Sequence, residues 1–247
     1  MERGANAGIV LIGDEILSGK VQDENARFLI EELRGLGVGL RRVIVIPDVL
    51  DEIAETVRDF AQRFDHVFTS GGVGPTHDDL TMEGVARAFG QKVVRHPELE
   101  ALLRGYYGDK LEERNLRMAE VPEGAHFVHG APPNVSATWP VIAMQNVYIL
   151  PGIPEIFRRK FVSIRERFRS APYHLRSVFV RDEEGRIAAA LDEVVAAHPM
   201  VQVGSYPKLD PTDYQVKVTL ESKDRDAVEA ATAELVARLG QTVVRVA

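Results

Sequence analysis

The sequence predicts an α/β fold in which a largely parallel sheet carries helices on both faces, followed by a small ferredoxin-like α+β domain. Three observations predict it. Between residues 8 and 169, four short apolar runs each lead through a turn into an amphipathic segment of helical period. The third run opens into Ser70-Gly71-Gly72-Val73-Gly74-Pro75-Thr76-His77-Asp78-Asp79-Leu80-Thr81, a glycine-rich loop placed where open parallel sheets bind ligands. After Ser170-Ala171-Pro172 the order changes to β-α-β-β-α-β. Domains over residues 1–170 and 171–247 follow.

The first strand is read at Gly8 to Ile12; it leads through Gly13-Asp14-Glu15 to a helix from about Asp23 to Leu33, closed by Gly35. Leu40 to Ile46, Pro47-Asp48 and the apolar stripe Ile53, Val57, Phe60 and Phe64 form the second unit. His66 to Thr69 and a helix running to Phe89 form the third. The fourth is Val147 to Leu150, then Pro151-Gly152-Ile153-Pro154 and a basic helix to about Arg169. A less regular insertion lies before it, with helices around Glu98 to Arg104 and Glu112 to Ala119, a hairpin expected near His126 to His129, and the proline-rich Ala131-Pro132-Pro133. In the second domain the strands are Leu175 to Val180, Met200 to Tyr206, Tyr214 to Leu220 and Thr242 to Val246, and the helices Glu184 to Ala197 and Asp224 to Leu239.

Parallel strands send their following loops to one edge, so Gly13-Asp14-Glu15, Asp48, Ser70 to Asp79 and Pro151-Gly152 should converge there. Glycine leaves backbone N–H groups uncovered and permits positive φ, which lets several amides face one anion, and the helix opening near Thr81 adds partial positive charge. Carboxylates beside a phosphate make sense chiefly when a divalent cation bridges them. Asp14, Asp48, Asp78 and Asp79 are therefore candidate metal ligands, and Gly13, Asp14, Glu15, Ser70, Gly71, Gly72, Val73, Gly74, Pro75, Thr76, Pro151 and Gly152 candidate ligand-binding residues.

Each feature has a plainer reading. Glycine turns are common between strand and helix; Asp14 and Glu15 can cap the next segment; Pro47-Asp48 is a standard turn pair. Pro154 can simply open a helix, and His77 can be a solvated loop residue. His126 and His129 stand three apart, on opposite faces of a strand, which argues against shared metal binding. Trp139 reads first as a packing residue, and Arg158, Arg159 and Lys160 read first as a solvated helix face.

Composition narrows the chemistry further. With 247 residues, 45% hydrophobic and 27% charged, the chain has material for one large core and a smaller one. It contains no cysteine, which removes disulfides, thiolate zinc sites, iron–sulfur clusters and cysteine nucleophiles. A net charge of −7, dispersed along the chain, disfavours nucleic acid. No apolar run approaches membrane-spanning length, and the first six residues lack a secretion signal, so the expected location is the cytoplasm and no membrane partner is expected. Gly13 to Val21 resembles a P-loop but has one residue too many between its glycines and valine where Ser or Thr should bind Mg²⁺.

Taken together, Gly13-Asp14-Glu15-Ile16-Leu17-Ser18-Gly19, Pro47-Asp48, Ser70 to Thr76 with Asp78-Asp79-Leu80-Thr81, and Leu150-Pro151-Gly152-Ile153-Pro154 resemble the molybdopterin-binding (MoCF) domain of CinA-like proteins. Asn115 with Ala119 and Pro122-Glu123-Gly124-Ala125 extends the resemblance to about residues 6–165. The following domain is similar to the one that succeeds it in CinA proteins, and Asn146 to Glu155 is similar to the N-terminal domain of eukaryotic FAD synthase. The resemblance implies a three-layer α/β domain that binds a pterin or nucleotide phosphate. It further implies metal-dependent cleavage of a pyrophosphate of the ADP-ribose or FAD type, with Asp48 and Asp79 as catalytic residues, Mg²⁺, Mn²⁺ or Co²⁺ as cofactor and K⁺ as a further candidate. Molybdopterin binding of the cofactor-assembly type, adenylyl-transferring or non-catalytic, is the alternative it implies. A homo-oligomer is expected, since relatives of this domain are dimers or trimers. The chain departs from the family at Ala131 to Pro140, where an Asn-Pro-x-Gly-Thr-Ala-Pro-Gly segment is usual.

Overall fold

The structure is a computed structural model that describes residues 4–130, 139–209 and 213–247. The proline-rich stretch and most of the departing segment before Trp139 lie outside the described residues. Two compact units divide the chain at Met1–Ser170 and Ala171–Ala247.

In the first unit β1 (Asn6–Ile12), the short α1 (Asp14–Leu17), α2 (Asn25–Gly35), β2 (Gly39–Ile46), α3 (Leu50–Arg63), β3 (His66–Ser70) and α4 (Thr81–Ala88) follow one another. The insertion supplies β4 (Val93–Arg95), α5 (Pro97–Tyr107), a 3-10 stretch over Glu113–Ala119, β5 (Glu120–Pro122) and β6 (His126–Val128). Then come β7 (Val141–Met144), β8 (Val147–Leu150) and α6 (Pro154–Ile164). The main sheet has the order β2-β1-β3-β8-β7-β6, and β2, β1, β3 and β8 are parallel.

Alternation along β1 explains the two faces. Ala7, Ile9 and Leu11 join one core with Leu29 and Leu33 of α2 and Phe157 and Phe161 of α6. Val10 and Ile12 join the other, with Ile53, Val57 and Phe60 of α3 and Leu99 and Leu103 of α5. Every residue of β1 is buried, as a strand covered on both faces requires.

The edge beyond β8 differs from the sequence expectation. Residues 126–129 make no hairpin of their own: β6 pairs antiparallel with β7, and β7 and β8 form a hairpin about Gln145 and Asn146. Gln145 takes φ 52°, and Asn146 Nδ2 donates to the carbonyls of Ala61 and Phe64 at 3.0 and 2.7 Å. Two apolar tetrads around Gln-Asn were the legible signal. The small pair β4 and β5 was not anticipated either.

The second unit comprises β9 (His174–Val180), α7 (Glu184–Ala197), β10 (Gln202–Pro207), β11 (Val216–Ser222), α8 (Arg225–Leu239) and β12 (Val243–Val246). Its sheet order β10-β11-β9-β12 is that of a ferredoxin-like fold, antiparallel throughout. Val178, Val180, Val216, Val218 and Leu220 pack against Ile187 and Val194 of α7 and Val228 and Leu235 of α8. Asp224 caps α8, accepting from the Ala227 N–H at 3.1 Å.

Candidate functional site

The loops after β1, β2, β3 and β8 meet at the carboxyl edge of the sheet. Gly71, with φ 104°, sits so close to the turn after β1 that a Cβ there would lie 2.1 Å from the Ile12 carbonyl oxygen. Its N–H donates to Leu150 O at 3.2 Å, which joins the third and fourth loops. Gly72 follows with φ 62°, a left-handed conformation that favours glycine. Thr81 then closes the loop onto α4, its hydroxyl donating to Gly71 O at 2.8 Å and its N–H to Gly72 O at 2.9 Å.

Asp79 shapes the rest of the loop. Its Oδ1 accepts from the Gly74 N–H at 2.6 Å and its Oδ2 from the Thr76 N–H at 2.8 Å, with the Thr76 hydroxyl donating to Oδ2 as well. Arg117 reaches across from the insertion to donate to Thr76 O at 2.8 Å. The amides of Gly71 and Gly74 are therefore spent inside the protein. Among the described residues the amides of Gly72 and Val73 have no protein acceptor, so the cradle expected over the whole glycine run narrows to these two.

The carboxylates gather beside it. Asp48 Oδ2 accepts from the Asp14 N–H at 2.9 Å, which ties the second loop to the first. Burial pushes the Asp48 carboxyl above its usual range; the Asp14 N–H opposes this, and the charges of Glu15, Asp14 and Asp78 add to it. Glu15 curls back over Gly13, where a Cβ would lie 2.5 Å from its carboxylate oxygens. Asp78 stays solvated next to the exposed His77, 3.9 Å away.

These groups form an acidic edge rather than a coordination shell. Among the described residues no three His, Asp or Glu side chains are disposed to hold a metal ion, and both oxygens of Asp79 already serve the loop. The fit to a divalent cation is one of donor chemistry: all-oxygen ligands, and in Asp48 a carboxylate destabilised first by burial and further by the charges of Glu15, Asp14 and Asp78, which a cation would relieve.

Two residues of this neighbourhood escaped the sequence reading. Asn25, at the start of α2 and 3% exposed, donates through Nδ2 to Ser70 Oγ at 2.9 Å and to Gly152 O at 2.7 Å, pinning the third loop to the fourth. It reads in sequence as an ordinary helix start beside the cap Asp23, whose Oδ2 accepts from the Ala26 N–H at 2.9 Å. Lys160, expected on a solvated face, is instead half-buried: it lies three residues after Phe157 and four before Ile164, at the border of the inner stripe of α6. Its Nζ donates to the carbonyls of Trp139 and Pro140 at 3.1 and 2.8 Å. Arg158 pairs with Glu24 at 2.6 Å instead of waiting for a phosphate.

Two cavities flank the loop. One of about 480 Å³ is of mixed character, with the carboxylates of Asp79, Glu83 and Glu120 and the cations of Arg87, Lys92 and Arg117 in its wall. The other, about 660 Å³ and mostly apolar, is lined by Pro151, Ile142, Trp139, Tyr107 and Lys160 among others. No helix among the described residues is long and apolar enough to cross a membrane.

Comparison with known proteins agrees with this geometry. Residues 8–170 match the family described as probable molybdopterin binding domain, and residues 172–247 match the FAD synthase middle domain. A protein of Archaeoglobus fulgidus is 37% identical over 223 residues, which span 90% of this chain and 93% of the relative. A probable FAD synthase of Caenorhabditis elegans is 30% identical over 259 residues, 95% of this chain but 50% of the relative, so the chain spans about half that protein's length. The crystal structure of the CinA protein of unknown function from Thermoplasma acidophilum is similar with a TM-score of 0.59 and 32% identity, covering 66% of this chain and 99% of that one. With that match over most of its length, and with its loops gathered at one sheet edge, the chain belongs to the molybdopterin-binding-domain family, among its CinA-like and FAD synthase-like members.

Proposed function

We propose that the first unit binds the diphosphate of a nucleotide or pterin at the Gly72 and Val73 amides and hydrolyses it, on ligands of the ADP-ribose or FAD type. The observation that carries this reading is the pairing of two free amides with an acidic edge on which Asp14, Glu15 and Asp78 crowd the partly buried Asp48. Asp14, Asp48 and Asp78 would hold a divalent cation, Mg²⁺, Mn²⁺ or Co²⁺, brought with the ligand. When bound there, such an ion would supply charge neutralisation for the phosphates and an activated water. Asp79 holds the cradle open by fixing Gly74 and Thr76, and Asp48 would act in catalysis through the cation it helps to hold.

A second reading has its own support. The commitment of both Asp79 oxygens and the lack of a three-ligand cluster among the described residues favour binding without cleavage, as for molybdopterin. Incubation of the protein with ADP-ribose and FAD, with each of the three metals and with chelator, separates them. Release of nucleoside monophosphate only when metal is present supports hydrolysis. Saturable ligand binding with no release under any condition supports the binder.

A further inference from the structure

The sheet of the second unit has two faces of different character. Val178 and Val180 of β9 and Val216, Val218 and Leu220 of β11 face the helices. Strand alternation turns the residues between them to the opposite, open face. There one residue from each strand falls in a single row: Tyr206 of β10 is paired with Lys217 of β11, Lys217 with Phe179 of β9, and Phe179 with Arg245 of β12. Aromatic and cationic side chains thus alternate from edge to edge, over roughly 14 Å at the usual strand spacing. The Arg245 guanidinium sits 4.1 Å from the Phe179 ring centroid and Lys217 Nζ 6.0 Å from it. Lys208 Nζ stands 3.8 Å over Tyr214, which packs edge-on against Phe179 at 4.7 Å. Packing accounts for Phe179, which is 8% exposed, but not for Tyr206. Tyr206 is 57% exposed, and among the described residues no ring and no cation stacks on it. Its ring reaches back over Gly204, where a Cβ would stand 2.9 Å from the Tyr206 hydroxyl oxygen and 3.0 Å from Cε2, so glycine lets the ring lie against the sheet.

We infer that this open face binds single-stranded nucleic acid, with one base stacked on Tyr206, another on the Arg245 guanidinium, and an intervening phosphate on Lys217. The inference goes beyond the proposed function and does not rest on it. Unpaired bases supply flat faces and the backbone supplies anions at regular intervals, which is the complement of a row that alternates rings with cations. Four-stranded sheets take single strands in this way, stacking bases on aromatic side chains and on arginine planes. A duplex offers the same phosphates but keeps its bases out of reach of Tyr206. The row itself carries no carboxylate. The row beside it is small and polar, Gly204, Thr219 and Ser177, and Glu221 comes one row further on. Asp213 lies at the edge, accepting from Lys208 and Arg245 at 3.3 Å each. That carboxylate and the net charge of −7 oppose a polyanion, so the expected affinity is modest, with a Kd of roughly 1–100 µM.

Fluorescein-labelled oligouridine and oligothymidine of about 12 nucleotides, titrated with the full chain and followed by anisotropy at about 50 mM salt, test the surface. We expect saturable binding of at least one of them, and a preference between the two names the sugar that the face accepts. Tyr206→Ala should weaken binding about 5- to 100-fold, and Tyr206→Phe, which keeps the ring, should retain it. Lys217→Gln should weaken binding and reduce the slope of log affinity against log salt by about 0.7, the share of one phosphate contact on a single strand. Both side chains stand outside the core about Val218, so the variants should melt as the wild type does. No saturable binding of either oligonucleotide, or equal affinity in wild type, Tyr206→Ala and Lys217→Gln, overturns the inference. So does an oligoglutamate peptide of the same length bound as tightly, which would assign the face to an acidic protein partner. Displacement of the oligonucleotide by ADP-ribose overturns it as well, because the strand would then lie on the glycine loop of the first unit.

Discussion

Asp79 looks in sequence like a metal ligand and in three dimensions like the keystone of its own loop. An amide at this position turns an acceptor into a donor facing the Gly74 and Thr76 N–H groups, so Asp79→Asn should distort the cradle. If the unit hydrolyses pyrophosphates, turnover should fall by about 100-fold or more, the scale on which small misplacements act, and steady-state rates with metal present check it. Asp48 poses the reverse case. Its folded carboxyl binds a proton more tightly than the unfolded one, so its ionised form destabilises the fold at neutral pH. Asp48→Asn should therefore raise the melting temperature at pH 7, with a gain that shrinks as the pH falls through the carboxylate range and disappears below it, where both states are protonated. His66 is set against Tyr148 and Phe168, and burial lowers its imidazole, with Asp65 opposing. The unfolded state then binds a proton that the folded state resists, so stability should drop as the pH falls through about 6.5. Melting curves at pH 7 and 5 should show a smaller loss in His66→Phe than in wild type. The residue types at these positions were readable in sequence; their protonation was not, because burial and neighbouring charge come from other segments.

At the scale of elements, the parallel run of β1, β2, β3 and β8 is what makes one edge of four loops. That much followed from apolar runs alternating with helical periods. The clasp between the loops did not, since Asn25, Ser70 and Gly152 are far apart in the chain and a single asparagine at a helix start has no distinguishing pattern. Asn25→Ala should leave the Gly152 carbonyl without its buried donor and cost about 1–3 kcal/mol in denaturant unfolding. Asn25→Asp, which has no N–H to give, should not rescue it. The β7 and β8 hairpin was missed for a related reason: its strands have four residues each, too short for periodicity to separate from a buried run. Lys160 was misplaced because a run of basic residues masks the one position that lies a turn from both Phe157 and Ile164.

For the whole molecule, the apolar clusters respect the division into two units. The cores about Phe68 and Val57 draw only on residues before 170, and the core about Val218 only on residues after 171. Residues 171–247 expressed alone should therefore unfold cooperatively in calorimetry, and a broad non-cooperative transition would show that their fold depends on the rest of the chain. Hydrophobic periodicity, glycine punctuation and the order of elements determined the α/β class, the ferredoxin-like second unit and the edge at which the motifs lie, because these are local properties that a chain carries in its own spacing. Which amides stay free, which aspartates are spent on the loop, and that a lysine turns in to the Trp139 carbonyl were decided only by tertiary structure. Hydrogen-bond partners, burial and cavities arise between segments distant in sequence, and no local pattern encodes them.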